Sequence, residues 1–229
     1  MKRIIPLVSI LPLAASQNAH ATEPIKKPNV IIIYADDLGY GDLECYGAKN
    51  VKTPNVNRLA KEGIRFTNAH AVAATSTPSR YSLLTGEYAW RKPDTDVAAG
   101  NAGMIIRPTQ YTMADMFKSA GYATGAFGKW HLGLGDKTGE QDWNAPLPAS
   151  LGDLGFDYHY IMAATGDRVP CVFIENGQVA NYDPSAMVYC VGRIIIPAFP
   201  AATSVSGLRH AYSPVNSEYR EGVLVAATA

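Results

Sequence analysis

The stretch that decides the fold class is Asn29-Val30-Ile31-Ile32-Ile33-Tyr34-Ala35-Asp36-Asp37. A continuous β-branched run of this length is typical of a strand buried on both faces of a parallel sheet. Downstream, the patterns predict helices over 54–63, 79–85 and 112–120, each stopped by a glycine, and strands over 64–69 and 122–127. The sequence therefore predicts an α/β domain with a mixed, largely parallel sheet sandwiched by helices.

The bulk composition is that of an ordinary globular protein. The chain has 229 residues, 47% of them hydrophobic, and 20 basic side chains balance 20 acidic ones. This balance produces no overall field that would draw the protein to nucleic acid or to an anionic membrane. We therefore expect no nucleic-acid partner, and any bound anion must be held by a local site.

The three cysteines, Cys45, Cys171 and Cys190, do not follow a zinc-binding spacing. Their odd number also argues against a disulfide framework. We expect ordinary buried thiols, with one disulfide as the alternative in an oxidising compartment.

The N-terminus has the three parts of a secretory signal peptide. Met1-Lys2-Arg3 is basic, residues 4–15 are apolar, and Ala19-His20-Ala21 resembles a small-residue cleavage site. The apolar run is too short to remain as a membrane-spanning helix. Residues 1–21 are therefore predicted to be removed, which implies a secreted or periplasmic protein with no membrane partner after cleavage. A disordered or buried N-terminus is the alternative.

Two adjacent carboxylates, Asp36 and Asp37, follow the first predicted strand. In open α/β sheets, ligands bind beyond the carboxyl ends of the strands. Neighbouring like charges repel each other, and a hard cation with oxygen ligands relieves that repulsion. The pair is therefore a candidate metal site, although two aspartates before a glycine also form ordinary turns.

A second motif is Ser76-Thr77-Pro78-Ser79-Arg80. Pro78 favours the first turn of a helix, which places Ser76 at or just before the helix N-terminus. Backbone N–H groups at that end favour an oxyanion or an ionised nucleophile, and Arg80 can point back at the same position. The alternative is a capping serine beside a surface arginine.

A third motif, Gly128-Lys129-Trp130-His131-Leu132-Gly133, lies at a predicted strand end. It combines a cation, an aromatic ring and a titratable imidazole between glycines that allow close approach. From the residues alone, a loop with a structural histidine is an equal alternative.

Together these motifs resemble the type I sulfatases of the alkaline phosphatase superfamily. The resemblance rests on residues 28–42, 53–60, 76–80, 84–86 and 128–133, and residues 167–176 are similar to a segment of bacterial arylsulfatase-type members. It runs from about Pro28 to about Pro184. The resemblance implies the N-terminal part of a sulfatase catalytic domain.

The resemblance also implies a formylglycine-dependent hydrolase of sulfate esters. Ser76 matches the residue that a sulfatase-maturing enzyme oxidises to formylglycine (3-oxoalanine). One oxygen of the hydrated aldehyde binds Ca²⁺ and attacks sulfur, and the second then loses its proton so that sulfate leaves. An unmodified Ser76, expected to have no adjacent base, would hardly react.

Roles carry over from the family to matching positions of this chain. Asp36, Asp37 and the modified Ser76 match calcium ligands. Arg80 matches the arginine that holds the diol. Lys129 and His131 match residues that contact the sulfate oxygens and assist at the aldehyde. The expected substrate is a sulfated small molecule or a sulfated polysaccharide fragment.

The chain departs from the family pattern in its second half. The family completes its metal site with a downstream Asp-Asn pair, but this sequence has no Asp-Asn dipeptide, and no lysine follows Lys137. Two alternatives therefore stay open. One is a truncated, non-catalytic remnant with an open sheet edge and exposed apolar surface. The other is a phosphoryl-transfer relative that uses Ser76 or Thr77 directly.

Residues 185–229 form an atypical tail. From Ala186 onward there is no lysine and no aspartate, and this change coincides with the end of the family resemblance. We hypothesise that the tail is translated out of frame. The predicted organisation is a signal peptide (1–21), the N-terminal part of a catalytic domain (22–184) and this tail (185–229).

Overall fold

The computed structural model describes residues 27–186, 188–191, 194–197 and 225–227. The predicted signal peptide and most of the predicted tail lie outside these residues. Within them, three α-helices lie between the first and second strands and accompany a mixed sheet, which confirms the α/β class. The strands are β1 (Ile32–Ile33), β2 (Gly125–Lys129), β3 (Tyr158–Met162), β4 (Phe173–Glu175), β5 (Gln178–Val179), β6 (Val188–Val191), β7 (Ile194–Pro197) and β8 (Val225–Ala227). The α-helices are α1 (Pro54–Glu62), α2 (Ser76–Thr85) and α3 (Met113–Ser119), with short 3₁₀ helices at Tyr40–Asp42, Glu44–Tyr46, Ala89–Arg91 and Leu151–Leu154.

The main sheet is mixed and has the strand order β2-β3-β4-β5. β2 and β3 are parallel, with Gly125 opposite Tyr158 and Lys129 opposite Met162. β3–β4 and β4–β5 are antiparallel pairs. β1 pairs with β8 in parallel, and β6 pairs with β7 antiparallel. The parallel β2–β3 pair positions the loop after β2 beside the loop after β3.

The three predicted helices form close to their predicted bounds because their signals are local. Pro54 starts α1, and Gly63 follows its last residue. Gly86 ends α2 in the left-handed conformation that glycine adopts without strain. Thr112 caps α3 in a capping box with Asp115. The second helix begins at Ser76, three residues earlier than predicted.

The strand predictions are less accurate. The run 29–35 contributes only the two-residue β1, and it is not buried on both faces, since Ile31 and Ile33 are exposed. The predicted strand over 64–69 is wrong, because this segment pairs with no other strand among the described residues and Ile64 is exposed. The predicted strand over 122–127 is shifted to 125–129.

One buried apolar cluster supports the site. It packs α2 and α3 against the β2–β3–β4 face, and it includes Tyr81, Leu84, Ile106, Leu132, Leu151, Leu154, Phe156, Ile161 and Ile174.

Cys45 and Cys171 are only half-buried, so the prediction of buried thiols is wrong for these two residues. In the described part of the chain, none of the helices combines the length and apolar character needed to cross a bilayer.

Candidate active site

Ser76 is the first residue of α2, which agrees with the helix N-terminus predicted from Pro78, although the helix pattern itself predicted a start at residue 79. Thr75 is extended and precedes the first helical turn, which contains Pro78. One turn further, Arg80 lies on the same face, and its Nε donates a hydrogen bond of 2.8 Å to Ser76 Oγ. The side-chain oxygen at position 76 therefore lies at the positive end of the helix and already accepts a bond from a cation.

The loop after β2 brings the other predicted side chains to Ser76. Lys129 is the last residue of β2, and His131 Nδ1 lies 2.9 Å from Ser76 Oγ. His131 has a φ of 57°, a left-handed conformation that costs a residue with a side chain about 1–3 kcal/mol. The surroundings hold it there, since its N–H donates to Ala163 O at 3.1 Å and its carbonyl accepts from Thr77 at 2.9 Å.

This geometry corrects one expectation. We predicted that an unmodified Ser76 would have no adjacent base, but the ring of His131 is within hydrogen-bond distance of it. Fifty-five positions separate the two residues, so the spacing gave no indication of the contact.

Asp36 connects the two cations of the site. Its Oδ1 accepts a hydrogen bond from Arg80 at 3.1 Å, and its Oδ2 accepts one from Lys129. Partial burial alone would raise the pKa of Asp36, but the hydrogen bonds and charges of Lys129 and Arg80 outweigh it and lower that pKa. Asp36 is therefore ionised at neutral pH.

Arg80 is the most buried charge of the site, with its residue only 5% exposed. Burial lowers the pKa of its guanidinium, and the neighbouring Asp36 opposes this effect. An arginine stays protonated under such conditions. Its remaining hydrogen bond goes to the carbonyl of Lys129 at 2.9 Å, which ties α2 to the end of β2.

Asp37 is more exposed to solvent than Asp36. It is exposed and has a φ of 53°. Calcium takes six to eight oxygen ligands, and Asp36, Asp37 and Ser76 together supply fewer than that. In addition, both carboxylate oxygens of Asp36 already accept hydrogen bonds from cations. Among the described residues, no three His, Cys, Asp or Glu side chains group as a metal site. The residues have the right ligand type but fit only part of a calcium site.

His131 is buried and tied on its other side as well. Its Nε2 lies 2.9 Å from the carbonyl oxygen of Ala98. Burial lowers the pKa of His131, the bond with Ala98 opposes this, and the charges of Arg168, Lys129 and Arg80 lower the pKa further. The imidazole is therefore neutral at pH 7.

The sequence did not identify Arg168 and Tyr34 as site residues, and it named Thr77 only as an alternative nucleophile. Arg168 approaches His131 Nε2 to 3.0 Å, and the Thr77 hydroxyl bridges the N–H of Ala98 and the carbonyl of His131. Tyr34 hydrogen-bonds Ser79, and its ring faces the Arg80 guanidinium. Arg168 lies in a segment that resembled the family, which was the available signal.

Trp130 and His70 make no contact with the candidate catalytic side chains in the interactions described. Trp130 is buried, donates from Nε1 to Gly133 O at 2.8 Å and packs edge-on against Phe156. Trp130 therefore packs the loop. His70 is exposed and contacts Asn68 outside the site.

The assembled site places a serine oxygen at a helix N-terminus beside an arginine, a lysine and a neutral histidine. Positive charge focused on one position stabilises a tetrahedral oxyanion and charge that develops during its transfer. The fold and the site thus define an α/β protein with a candidate oxyanion-binding site.

The family follows from comparison with known proteins. The family model described as Sulfatase matches residues 28–170, which is more than half of the chain. The protein therefore belongs to the sulfatase family.

Curated relatives agree with this assignment. An N-acetylgalactosamine-6-O-sulfatase from Bacteroides thetaiotaomicron is 51% identical over 189 residues, which are 81% of this chain and 37% of that protein. The steryl-sulfatase of Mus musculus is 41% identical over 189 residues, or 79% of this chain and 28% of its own. The chain thus spans about a third of the length of these relatives.

A solved structure shares the fold. A Bacteroides thetaiotaomicron protein, described in connection with the metabolism of multiple glycosaminoglycans, superimposes with a TM-score of 0.69 at 56% identity. The match covers 71% of this chain and 34% of that one. A second structure, in complex with its substrate D-glucosamine-2-N,6-O-disulfate, has a TM-score of 0.50 at 31% identity and covers 67% of this chain and 27% of that one.

Proposed function

We propose that this protein is a sulfuric ester hydrolase that removes sulfate from a sulfated saccharide. The observation that carries the proposal is the position of Ser76 Oγ, 2.8 Å from Arg80 Nε and 2.9 Å from His131 Nδ1 at the start of α2. We further propose that a sulfatase-maturing enzyme converts Ser76 to formylglycine, that Ca²⁺ is required, and that the protein acts in the periplasm or outside the cell.

The substrate class is inferred from relatives. The 51% identical relative is named for N-acetylgalactosamine 6-sulfate, and another relative binds a sulfated glucosamine. Both are sulfated amino sugars, so a sulfated amino sugar is the first substrate to test.

The residues of the site have distinct tasks in this proposal. Formylglycine at position 76 would supply, as its hydrate, the second hydroxyl that serine lacks. Arg80 orients the oxygen at this position through its Nε and contributes positive charge from a buried location. Lys129, held by Asp36, supplies a second cation for the sulfate oxygens.

Calcium would be held by carboxylates that follow β1. Asp36 and Asp37 would be its carboxylate ligands, and the described residues provide too few others. We therefore assign no reaction step to the metal.

The test begins with coexpression of the protein and a serine-type sulfatase-maturing enzyme. Mass spectrometry of the peptide that contains residue 76 should show the loss of two hydrogens. The matured protein should then release sulfate from 4-nitrophenyl sulfate and from N-acetylgalactosamine 6-sulfate when Ca²⁺ is present. 4-Nitrophenyl phosphate and the S76A variant serve as controls. Formylglycine without sulfate release would contradict the proposal, and faster release of phosphate by unmodified Ser76 would support phosphoryl transfer instead.

A second candidate function is anion binding without turnover. It is favoured by the engagement of both Asp36 oxygens with cations and by the partial fit to calcium. This candidate predicts that sulfate binds, as measured by calorimetry, while added Ca²⁺ produces no hydrolysis.

A further inference from the structure

A cleft on the other side of helix α2 has no part in the hydrolysis proposed above. Its volume is about 340 Å³. Pro78 and Ser82 of α2 form one wall of this cleft. The segment after α2 forms another wall with Trp90, Asp94 and Asp96. Concave sites of this size bind small organic ligands, and we call this one the Trp90 cleft.

Trp90 gives the cleft a large apolar surface that is open to water. It is 76% exposed, whereas Trp130 and Trp143, the other two tryptophans of the chain, are each 4% exposed. Tyr88, which is 52% exposed, stacks near the Trp90 ring with centroids 5.8 Å apart and an interplanar angle of 28°. An aromatic surface left uncovered at a concave site marks a place where a ligand binds.

Two carboxylates accompany the aromatic ring. Asp94 and Asp96 both line the cleft and are exposed. Lys92 also lines it, but its ammonium group donates to the carbonyl oxygen of Ile105 at 2.6 Å. Carboxylates accept hydrogen bonds and repel anions. The cleft therefore combines a flat apolar face with acceptors for the hydroxyl groups of a ligand.

An uncharged sugar ring matches this combination. One face of a pyranose ring presents C–H groups that pack on an aromatic face, and its rim presents hydroxyl groups. A hydrogen bond from a hydroxyl to a carboxylate is about twice as strong as one between neutral groups. A ring with a sulfate or carboxylate group would instead place negative charge against Asp94 and Asp96.

Helical spacing separates the cleft from the reacting position. Ser76 and Arg80 share one face of α2, as their hydrogen bond of 2.8 Å shows. Pro78 and Ser82 each lie two positions further, which turns them by about 200° around the helix axis. An α-helix with its side chains is about 10–12 Å wide, so one sugar ring cannot contact both faces.

The wall of the cleft is nevertheless held to the active site. Thr95 is buried, and its hydroxyl lies 2.6 Å from the carbonyl oxygen of Ala89 and 2.9 Å from that of Lys92. Three residues later, the N–H of Ala98 donates to the hydroxyl of Thr77 at 3.0 Å, directly after Ser76 in the chain. These hydrogen bonds fix the position of the cleft relative to residue 76.

We propose that the Trp90 cleft binds an uncharged sugar ring of a saccharide chain, separate from the ring whose sulfate ester reaches residue 76. The choice of a saccharide chain rests on the proposed function. Binding of the sugar requires no hydrolysis, so it can be measured in the protein with unmodified Ser76.

Tryptophan fluorescence tests the proposal, because Trp90 is the one exposed tryptophan of the three. N-acetylgalactosamine at saturation should lower the quenching of this fluorescence by acrylamide about twofold, since the sugar covers one of two ring faces. Galactose should also protect Trp90. Galacturonic acid, which differs from galactose only by the carboxylate at carbon 6, should protect it little. The variant D94N/D96N removes the charges and should make these two sugars equivalent.

Saturation-transfer NMR measures binding without the tryptophan signal. W90A should lose most of the transfer to N-acetylgalactosamine, and W90F, which keeps an aromatic face, should retain most of it. Y111A is the matched control, since Tyr111 is 63% exposed but lies outside the cleft. Circular dichroism reports whether each variant is folded. If W90A does not fold, wild-type protection and the D94N/D96N comparison still decide.

Absence of protection by N-acetylgalactosamine would overturn the proposal, and so would equal saturation transfer in W90A and wild type. Equal protection of the wild-type protein by galactose and galacturonic acid would overturn the role of the carboxylates. A protein that binds the sugar but releases no sulfate after maturation refutes the proposed function alone. A protein that releases sulfate while Trp90 stays unprotected refutes the cleft alone.

Discussion

At the scale of single residues, His159 makes stability depend on pH. It is 2% exposed on β3, and neither ring nitrogen has a hydrogen-bond partner among the described residues. Burial lowers its pKa from 6.5 to about 4, an effect that the charge of Asp153 only partly opposes. His159 therefore becomes protonated below about pH 6.5 in the unfolded chain, but only below about pH 4 in the folded protein.

We predict that this residue costs about 1.4 kcal/mol of unfolding free energy for each pH unit between 6.5 and 4, or about 3 kcal/mol in all. The loss stops below pH 4, where both states are protonated. Urea unfolding of H159L at several pH values should give a flatter curve than wild type across this window. H70L, which changes an exposed histidine, should keep the wild-type slope. Parallel curves for H159L and wild type would refute the prediction.

The hydroxyl oxygen of Thr77 connects the segment at Ala98 to the loop that carries His131. This hydroxyl is fully buried, accepts from the N–H of Ala98 at 3.0 Å and donates to the carbonyl of His131 at 2.9 Å. T77V keeps the shape of the side chain and removes both bonds. A buried group left without a partner costs about 1–3 kcal/mol, and T77V leaves two, so we expect it to lose about 2–6 kcal/mol of unfolding free energy.

Chemical denaturation of T77V should show this loss, and the matured enzyme should lose activity because His131 is no longer anchored. T109V, at an exposed threonine, should change stability by no more than about 0.5 kcal/mol. A T77V protein as stable as T109V would show that the bridge contributes nothing.

At the scale of elements, the segment after β2 depends on close backbone approach. Leu134 N–H donates to Ala102 O, and Met104 N–H donates to Gly135 O, each at 2.9 Å. Gly133, which precedes Leu134, has a φ of 74°, and a Cβ at this position would lie 1.9 Å from the carbonyl oxygen of Gly103. Such an overlap forces the two segments apart, together with the loop that carries His131.

We therefore predict that G133A loses more than about 3 kcal/mol of unfolding free energy or fails to fold. Gly47 gives a matched control, because it also has a positive φ, of 108°, but open space around its Cβ position. G47A should cost only the conformational strain, about 1–2 kcal/mol. Thermal unfolding of both variants compares the two effects, and similar losses would mean that the backbone clash is relieved by local movement.

The helices and strands differ in how well the sequence predicts them. The helices were predictable because proline, threonine caps and terminal glycines act within a few residues, as at Pro54, Thr112 and Gly86. Strands were less predictable, since pairing is non-local: residues 64–69 have strand composition but no partner among the described strands. The Ser76–Arg80 contact follows from helical spacing. The Arg168 contact requires the β2–β3 register, which no local pattern encodes.

At the scale of the whole molecule, the described residues leave large apolar side chains open to water. Between residues 31 and 72, Ile33 is 72% exposed, Ile64 83% and Phe66 66%. Helix α1 has no buried residue, and Leu59 is 59% exposed. Single exposed apolar residues are ordinary, but their concentration in one stretch of chain favours association with other apolar surface.

We predict that the 229-residue protein self-associates through this stretch. Replacing two of its most exposed side chains, in the double variant I64S/F66S, should shift sedimentation velocity toward the monomer and reduce the binding of a hydrophobic dye. Stability should change little, because these side chains bury little surface on folding. W90S is the control, since Trp90 is 76% exposed but lies outside the stretch. If I64S/F66S associates as strongly as W90S, some other surface holds the copies together.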